Sequence, residues 1–374
     1  MSTSDGPRAQ DTGPGLGPGH TAPRRILIVR LSALGDVVMS SGLIPALRSL
    51  WPEARLSWLV EPPAAPLLAH NPRLDELIIL PRARWKQLWR EGHKLQALRE
   101  VAQFRRELRA RDFDLALDPQ GLLKSGLWAW LSAAKRRVNL RPRECSQWLM
   151  HESVSCAEPD APAEIGYEYR ELARYLGAKP KAFKLDLAVG ASPRTQAQRA
   201  LAEAGVSGPY AVLAPFTTRP QKHWIESRWA ELAAGLIAQG LTPVMLGGPA
   251  DAEAAARIAS GHGQIRNLVG QLKLDESVAA IADAALLIGV DTGLTHMGIA
   301  LQVPTLTLFG STAPYLRGPD ARTRVLYDRL PCSPCHRNPT CHGRFDCMRG
   351  FEVPRVLAAA LALHQPFAVS VPAT

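Results

Sequence analysis

The sequence predicts an α/β protein built as two doubly wound, parallel-stranded halves facing each other across a central cleft. Three observations predict it. Short apolar runs rich in Ile, Leu and Val alternate with helical stretches, the pattern of parallel βαβ units. That alternation pauses once, between about Arg141 and Ser192, where charge, Pro and Gly are frequent, and then restarts. Loops carrying Gly, Asp and Thr follow several of the runs, and in doubly wound sheets ligands bind at the carboxyl ends of the strands. Two such halves would hold a substrate between them.

Residues 1–22 hold five Gly and three Pro and hardly a large apolar side chain. They cannot offset the entropy of ordering, so a disordered tail is expected there. The first half is expected over residues 23–190. Ile26-Leu27-Ile28-Val29 reads as a strand buried on both faces. A helix is predicted from Val37 to Leu50, and strands at Leu56–Val60, Leu77–Leu80 and Asp114–Asp118, with a long basic helical stretch from about Lys86 to Arg111. The halves are expected to join near residues 185–208. The second half, 191–350, opens with a strand at Tyr210–Pro215 and a helix from Arg228 to Gly240. A strand at Thr242–Leu246, a helix from Ala250 to Ser260, a strand at Ala285–Val290, a short helix from Thr295 to Leu301 and a strand at Pro304–Phe309 follow. Residues 351–374 carry a final apolar helix, Val353 to His364, and a tail.

Composition narrows the class. Of the 374 residues, 46% are hydrophobic and 21% charged, enough to bury a core without disulfide or metal staples. No apolar run approaches about 18 residues, and no secretory signal precedes the first strand, so neither a spanning helix nor export is expected. The formal charge of +10 favours an acidic partner: nucleic acid, an anionic membrane surface or a phosphorylated ligand. Six cysteines in such a chain fit a reducing compartment. Four of them, Cys332, Cys335, Cys341 and Cys347, cluster late. Only one close pair is present, which leaves open bound zinc, buried thiols or a disulfide.

The loops carry the chemistry. Asp36, after Gly35, ends the first strand-to-helix turn and reads either as a helix cap or as a general base for an acceptor hydroxyl. No G-x-G-x-x-G and no Walker A sequence is present. Thr217, Thr218 and Lys222 follow the first strand of the second half, where hydroxyls and an ammonium can hold phosphate oxygens. Asp251, after Gly247-Gly248-Pro249, reads as a cap or a ribose ligand. Asp291-Thr292-Gly293-Leu294-Thr295-His296 joins a very apolar strand to a short helix whose N-terminal N–H groups suit an anion, with His296 one turn in as a further donor. Together these loops point to a diphosphate site.

At these residues the chain resembles the ADP-heptose:lipopolysaccharide heptosyltransferases of glycosyltransferase family 9. The likeness covers roughly residues 25–330. It rests on Ile26 to Val37, on Asp118-Pro119-Gln120-Gly121-Leu122-Leu123-Lys124-Ser125, on Thr217-Thr218 with Lys222-His223-Trp224, and on Asp291 to His296. The second and third of these are most similar to heptosyltransferase I, which adds the first heptose to the Kdo of the inner core. The resemblance implies a GT-B fold and an inverting transfer without metal or cofactor, its acceptor bound by the first half and its nucleotide sugar by the second. It implies Asp36 as catalytic base and Lys222 as the group stabilising the departing ADP. Thr217, Thr218, Asp291, Thr292, Gly293, Leu294 and His296 are implied at the donor diphosphate, Asp251 at the ribose and Leu272 near adenine. Arg82, Arg84 and Lys86 resemble an acceptor-side loop that meets the anionic Kdo and the lipid A phosphates, joined by Lys124, Arg141 and Arg143. The implied partners are ADP-heptose and Kdo-lipid A, with the enzyme peripheral on the cytoplasmic face of an inner membrane. The final helix is expected to cross back to the first half.

Residues Arg82 to Arg111 hold ten Lys or Arg against three Glu, either a solvated helix face or a surface for anionic lipid. No nucleic-acid signature accompanies them, so nucleic acid is not an expected partner. The competing readings are a family member adding a later core heptose or another sugar, and a nucleotide-sugar-binding protein without catalysis.

Overall fold

The structure, a computed structural model, describes residues 22–156, 162–261 and 264–364. The tail expected over residues 1–22 lies outside the described residues up to position 21, as do residues beyond 364. The first sheet contains β1 (Arg25–Val29), β2 (Arg55–Val60), β3 (Glu76–Ile79), β4 (Leu115–Asp118), β5 (Arg136–Leu140) and β6 (Glu152–Val154), in the order β3-β2-β1-β4-β5-β6. The second contains β7 (Tyr210–Ala214), β8 (Thr242–Met245), β9 (Arg266–Asn267), β10 (Leu286–Val290), β11 (Thr305–Phe309) and β12 (Thr323–Tyr327), in the order β12-β11-β10-β7-β8-β9. Every pairing between neighbouring strands is parallel. Each sheet therefore reverses its strand order once, between β1 and β4 and between β7 and β10. Ligand crevices form at such reversals.

The helices are α1 (Leu34–Ser40), α2 (Leu43–Leu50), α3 (Arg82–Arg90), α4 (Lys94–Arg109), α5 (Leu123–Leu131), α6 (Tyr167–Tyr175), α7 (Ala191–Glu203), α8 (Glu226–Ile237), α9 (Ala252–Ser260), α10 (Leu274–Ala282), α11 (Gly293–Ala300), α12 (Asp346–Arg349) and α13 (Val353–His364). Two expected helices are each a pair. The segment read as Val37 to Leu50 starts at Leu34 and breaks after Ser40. There the Ser40 and Ser41 hydroxyls donate to the carbonyls of Asp36 and Val38, at 2.8 and 2.6 Å, competing with the backbone ladder. The long basic stretch breaks between α3 and α4, where Gly92 takes a left-handed φ of 86°.

α7 packs on α10, within the second half. The final helix does not cross back. α13 packs on α8 and on β10, β11 and β12, and its approach is pinned where Trp224 and Arg228 both donate to the Phe351 carbonyl, at 2.9 and 2.8 Å.

The halves meet directly. α1 packs on α11, the short turn Pro62–Leu67 packs on α10, and one apolar cluster runs through both sheets. Gly121 shapes the loop after β4. Its φ is 64°, and a Cβ there would stand 2.2 Å from the Leu140 carbonyl oxygen. Gly121→Ala is therefore expected to cost at least about 2 kcal/mol, from left-handed strain and a clash with backbone that cannot swing away. Urea unfolding would measure it.

Candidate active site

The four strands flanking the two order reversals each deliver one part of the site. After β1 comes Asp36, inside the first turn of α1. Its Oδ2 accepts the Ala33 N–H at 3.3 Å and pairs with Arg30 at 2.7 Å, and its side chain stays 40% exposed. Asp36 thus meets the helix end, as the cap reading expects, and keeps its carboxylate partly exposed.

Arg30 is buried. Its guanidinium also donates to the Pro119 carbonyl and lies 5.6 Å from the Tyr169 ring centre. After β4 comes Asp118, fully buried. Burial pushes its carboxyl up to about 6, against hydrogen bonds from Ser125 and the N–H groups of Gly121 and Gln120 and the charge of Arg30. The Gln120 side chain accepts the Leu31 N–H at 3.0 Å and so ties the β1 and β4 loops together.

After β7 and β10 come Lys222 and Asp291. Their charged groups stand 2.6 Å apart, and both are mostly buried. The other Asp291 oxygen faces His296 Nε2 at 3.3 Å, and the Thr312 hydroxyl donates to the carboxylate as well. Burial alone would raise the Asp291 carboxyl, but the hydrogen bond and charge of His296 and the ammonium of Lys222 outweigh it and hold it well below the ordinary range. The other His296 nitrogen, Nδ1, meets the buried Tyr315 hydroxyl at 2.8 Å.

Thr292 caps α11 in extended conformation and makes no side-chain cap bond, so the first N–H groups of α11, at Gly293, Leu294 and Thr295, have no intrahelical partner. Such an end favours an anion. The helix carrying it touches the helix carrying Asp36. A Cβ on Gly35 would fall 2.6 Å from the His296 ring, and one on Gly293 would fall 3.1 Å from the Leu34 Cβ.

The remaining expected donor residues sort by geometry. Thr217 and Thr218 lie on the β7 loop, partly and fully exposed, with the Thr217 carbonyl 2.8 Å from His223 Nε2. Asp251 caps its own turn by accepting the Gly248 N–H at 2.9 Å, and Leu272 is half-buried against the core. His296 is buried beside Gly35, with its ring nitrogens facing Asp291 and Tyr315 rather than the space above the helix end.

An open cavity of about 820 Å³ adjoins Asp36. Lys124, Arg141 and Arg143 line it. Arg82, Arg84 and Lys86 do not. Arg82 pairs with Glu61 at 3.0 Å, and the Arg84 guanidinium binds Glu100 on α4 through two nitrogens at 2.9 Å. Sequence reasoning missed Arg30, Glu168, Tyr169 and Arg337, all of which line the cavity. A charged residue directly after the apolar run of β1 was a usable signal for Arg30. Arg337 comes from the second half, within the cysteine-rich segment, and no local pattern marks it. The lining cations are Arg30, Lys124, Arg141, Arg143 and Arg337 and the lining acids Asp36 and Glu168, so the wall carries 5 − 2 = +3.

All six cysteines are free thiols, and burial, reinforced by Cys335, Cys332 and Cys341, pushes the Cys347 thiol up to about 11. Among the described residues no group of three or more His, Cys, Asp or Glu is arranged to hold a metal ion.

Two Rossmann-like halves, one presenting a carboxylate beside a basic cavity and the other a lysine and a free helix end, define a GT-B glycosyltransferase. The chain belongs to glycosyltransferase family 9 (heptosyltransferase), whose model matches residues 101–344. It is 34% identical over 333 residues to lipopolysaccharide heptosyltransferase 1 of Pseudomonas aeruginosa, covering 85% of this chain and 87% of that one. A glycosyltransferase of family 9 from Veillonella parvula shares the fold, with a TM-score of 0.78, 22% identity and coverage of 91% and 97% of the two chains. The E. coli heptosyltransferase WaaC solved with ADP-2-deoxy-2-fluoro heptose superposes with a TM-score of 0.64 at 27% identity, over 82% of this chain and 93% of that one.

Proposed function

We propose that the protein transfers L-glycero-D-manno-heptose from ADP-heptose to the Kdo of the lipopolysaccharide inner core, with inversion at the anomeric carbon. The observation that carries this reading is the direct packing of the Asp36 helix on the α11 helix end, with Lys222 and Asp291 behind it. In this reading Asp36 takes the proton of the acceptor hydroxyl as its oxygen attacks the anomeric carbon. The bond from that carbon to the β-phosphate oxygen breaks, and the electron pair leaves with ADP. Lys222, aligned by Asp291, and the N–H groups opening α11 meet the charge that develops on the diphosphate. Thr217 and Thr218 would add hydroxyl donors, Asp251 would turn to the ribose and Leu272 would pack near adenine. Thr292, Gly293 and Leu294 contribute backbone, while His296 acts through Asp291 by orienting it.

The acceptor side follows from charge. Kdo carries a carboxylate and lipid A carries phosphates, and the +3 cavity wall suits both. Lys124, Arg141 and Arg143 are the acceptor groups in this reading, with Arg82, Arg84 and Lys86 serving at longer range. No helix among the described residues is long and apolar enough to cross a membrane. The protein would act as a peripheral enzyme at the cytoplasmic face of the inner membrane.

ADP release by the purified protein, with ADP-heptose and Kdo-lipid A together and each alone, tests the reading. Release only with both supports it. Release at the same rate without acceptor, or no release although ADP-heptose binds, overturns the assigned acceptor. Arg337 gives a finer check. It lines the cavity from the opposite half. Arg337→Ala is expected to raise the acceptor KM roughly tenfold, the loss of one charge-assisted hydrogen bond, with ADP-heptose affinity unchanged.

A further inference from the structure

The large apolar side chains left exposed among the described residues all fall between Ile79 and Trp148 in the first half. They form one face. On α5, Leu123, Leu127 and Trp130 recur at i, i+4 and i+7, an apolar stripe turned to solvent where a helix of this kind would normally face the core. α4 packs beside α5 and exposes Leu95 and Leu98, which are 73% and 54% accessible. α3 packs beside α4 and exposes Trp89, and the turn Ser146–Leu149 packs on the other side of α5 and exposes Trp148, which is 81% accessible. Within these helices Trp85, Phe104 and Trp128 pack edge-to-face or tilted against one another with ring centres 5.3 to 5.6 Å apart.

The same helices carry the charge. Residues 82–111 hold ten Lys or Arg against three Glu, a local charge of 10 − 3 = +7. Lys94 lies 5.6 Å from the Trp89 ring centre, and Arg99 and Arg106 sit at helical spacing from Leu95, on its face of α4. Tryptophan and leucine interleaved with cations suit the boundary between lipid headgroups and acyl chains. A second copy of this chain does not fit, because pairing through this face would set +7 against +7. The face also adjoins the cavity: Leu122 and Lys124, on either side of exposed Leu123, line it.

We propose that the face formed by α3, α4, α5 and Trp148 docks on an anionic lipid bilayer and holds the cavity mouth at the headgroup level. It rests on the reading of a lipid-borne acceptor, and it names the residues that bring enzyme and acceptor to the same plane.

The test is sedimentation of the full-length protein with vesicles of phosphatidylcholine alone or with 30% phosphatidylglycerol. The expected result is binding to the anionic vesicles, weakened at least tenfold by Trp89→Ser with Trp148→Ser and, separately, by Arg99→Glu with Arg106→Glu. Both pairs are exposed, so their melting temperatures should match the wild type. Turnover of a short, soluble Kdo acceptor should be unchanged, whereas turnover of Kdo-lipid A in anionic vesicles should fall with binding. Wild-type protein that stays in the supernatant overturns the proposal, as do variants that bind like wild type. So does a dimer in light scattering that the tryptophan pair dissolves. Vesicle binding without turnover of either acceptor would leave the docking face standing and remove the assigned reaction.

Discussion

Asp36→Asn is expected to lower kcat by about 10³-fold while leaving the affinity for ADP-heptose within a factor of two. Asparagine keeps the shape of the side chain and its place against the Ala33 N–H, but it cannot take a proton. It also leaves the Arg30 guanidinium with an amide oxygen in reach. Asp36→Ala should lose the same activity and some stability besides, because Arg30 is 5% exposed and would be left buried without its carboxylate. The two variants separate chemistry from scaffolding. Rapid-mixing turnover with saturating acceptor, together with thermal melts, would make the comparison. Near-wild-type turnover by Asp36→Asn would remove Asp36 from the role of base.

Lys222→Ala is expected to cost 10²- to 10³-fold in kcat, about 3–4 kcal/mol of transition-state stabilisation. The effect has two sources. The diphosphate loses a cation as its charge develops, and Asp291 loses the ammonium 2.6 Å away that keeps it aligned. His296 and Thr312 still hold Asp291, so the fold should survive. Lys222→Arg should recover part of the rate, since the charge returns but a planar guanidinium does not fit the same point contact. Single-turnover rates and ADP affinity measured on all three proteins would show it. A Lys222→Ala enzyme within threefold of wild type would mean that the leaving diphosphate is stabilised elsewhere.

Both residues were legible in the sequence for the same physical reason. A strand buried on both faces reads as an unbroken apolar run, and Ile26–Val29, Tyr210–Ala214 and Leu286–Val290 are such runs. The loop after each must then carry the first polar residues near the cleft. Some outer strands were not legible. β5, Arg136-Arg137-Val138-Asn139-Leu140, next to the edge of its sheet, and β12, Thr323-Arg324-Val325-Leu326-Tyr327, at the edge of the other, carry charged and polar residues, and their pattern resembles a loop. The split of the basic helix needed only Gly92 to be weighed as a stop.

Other parts of the site depend on tertiary placement. His296 reads as a donor one turn into its helix, but in the fold it is buried against Asp291 and Tyr315. Arg337 reaches the cavity from a segment nearly two hundred residues away from Arg141 and Arg143. The apolar stripe on α5 looks like any core-facing stripe until the packing shows it uncovered.

The apolar cluster that runs through both sheets has a consequence for denaturation. It joins Ile26, Ile28 and Leu56 of one half to Val212, Leu287 and Met297 of the other. Neither half can lose its structure without exposing side chains that the other half buries. The chain should therefore melt in a single cooperative transition, without a stage in which one half persists alone. A proteolytic nick in the segment between α6 and α7 should leave two fragments that stay associated and melt together.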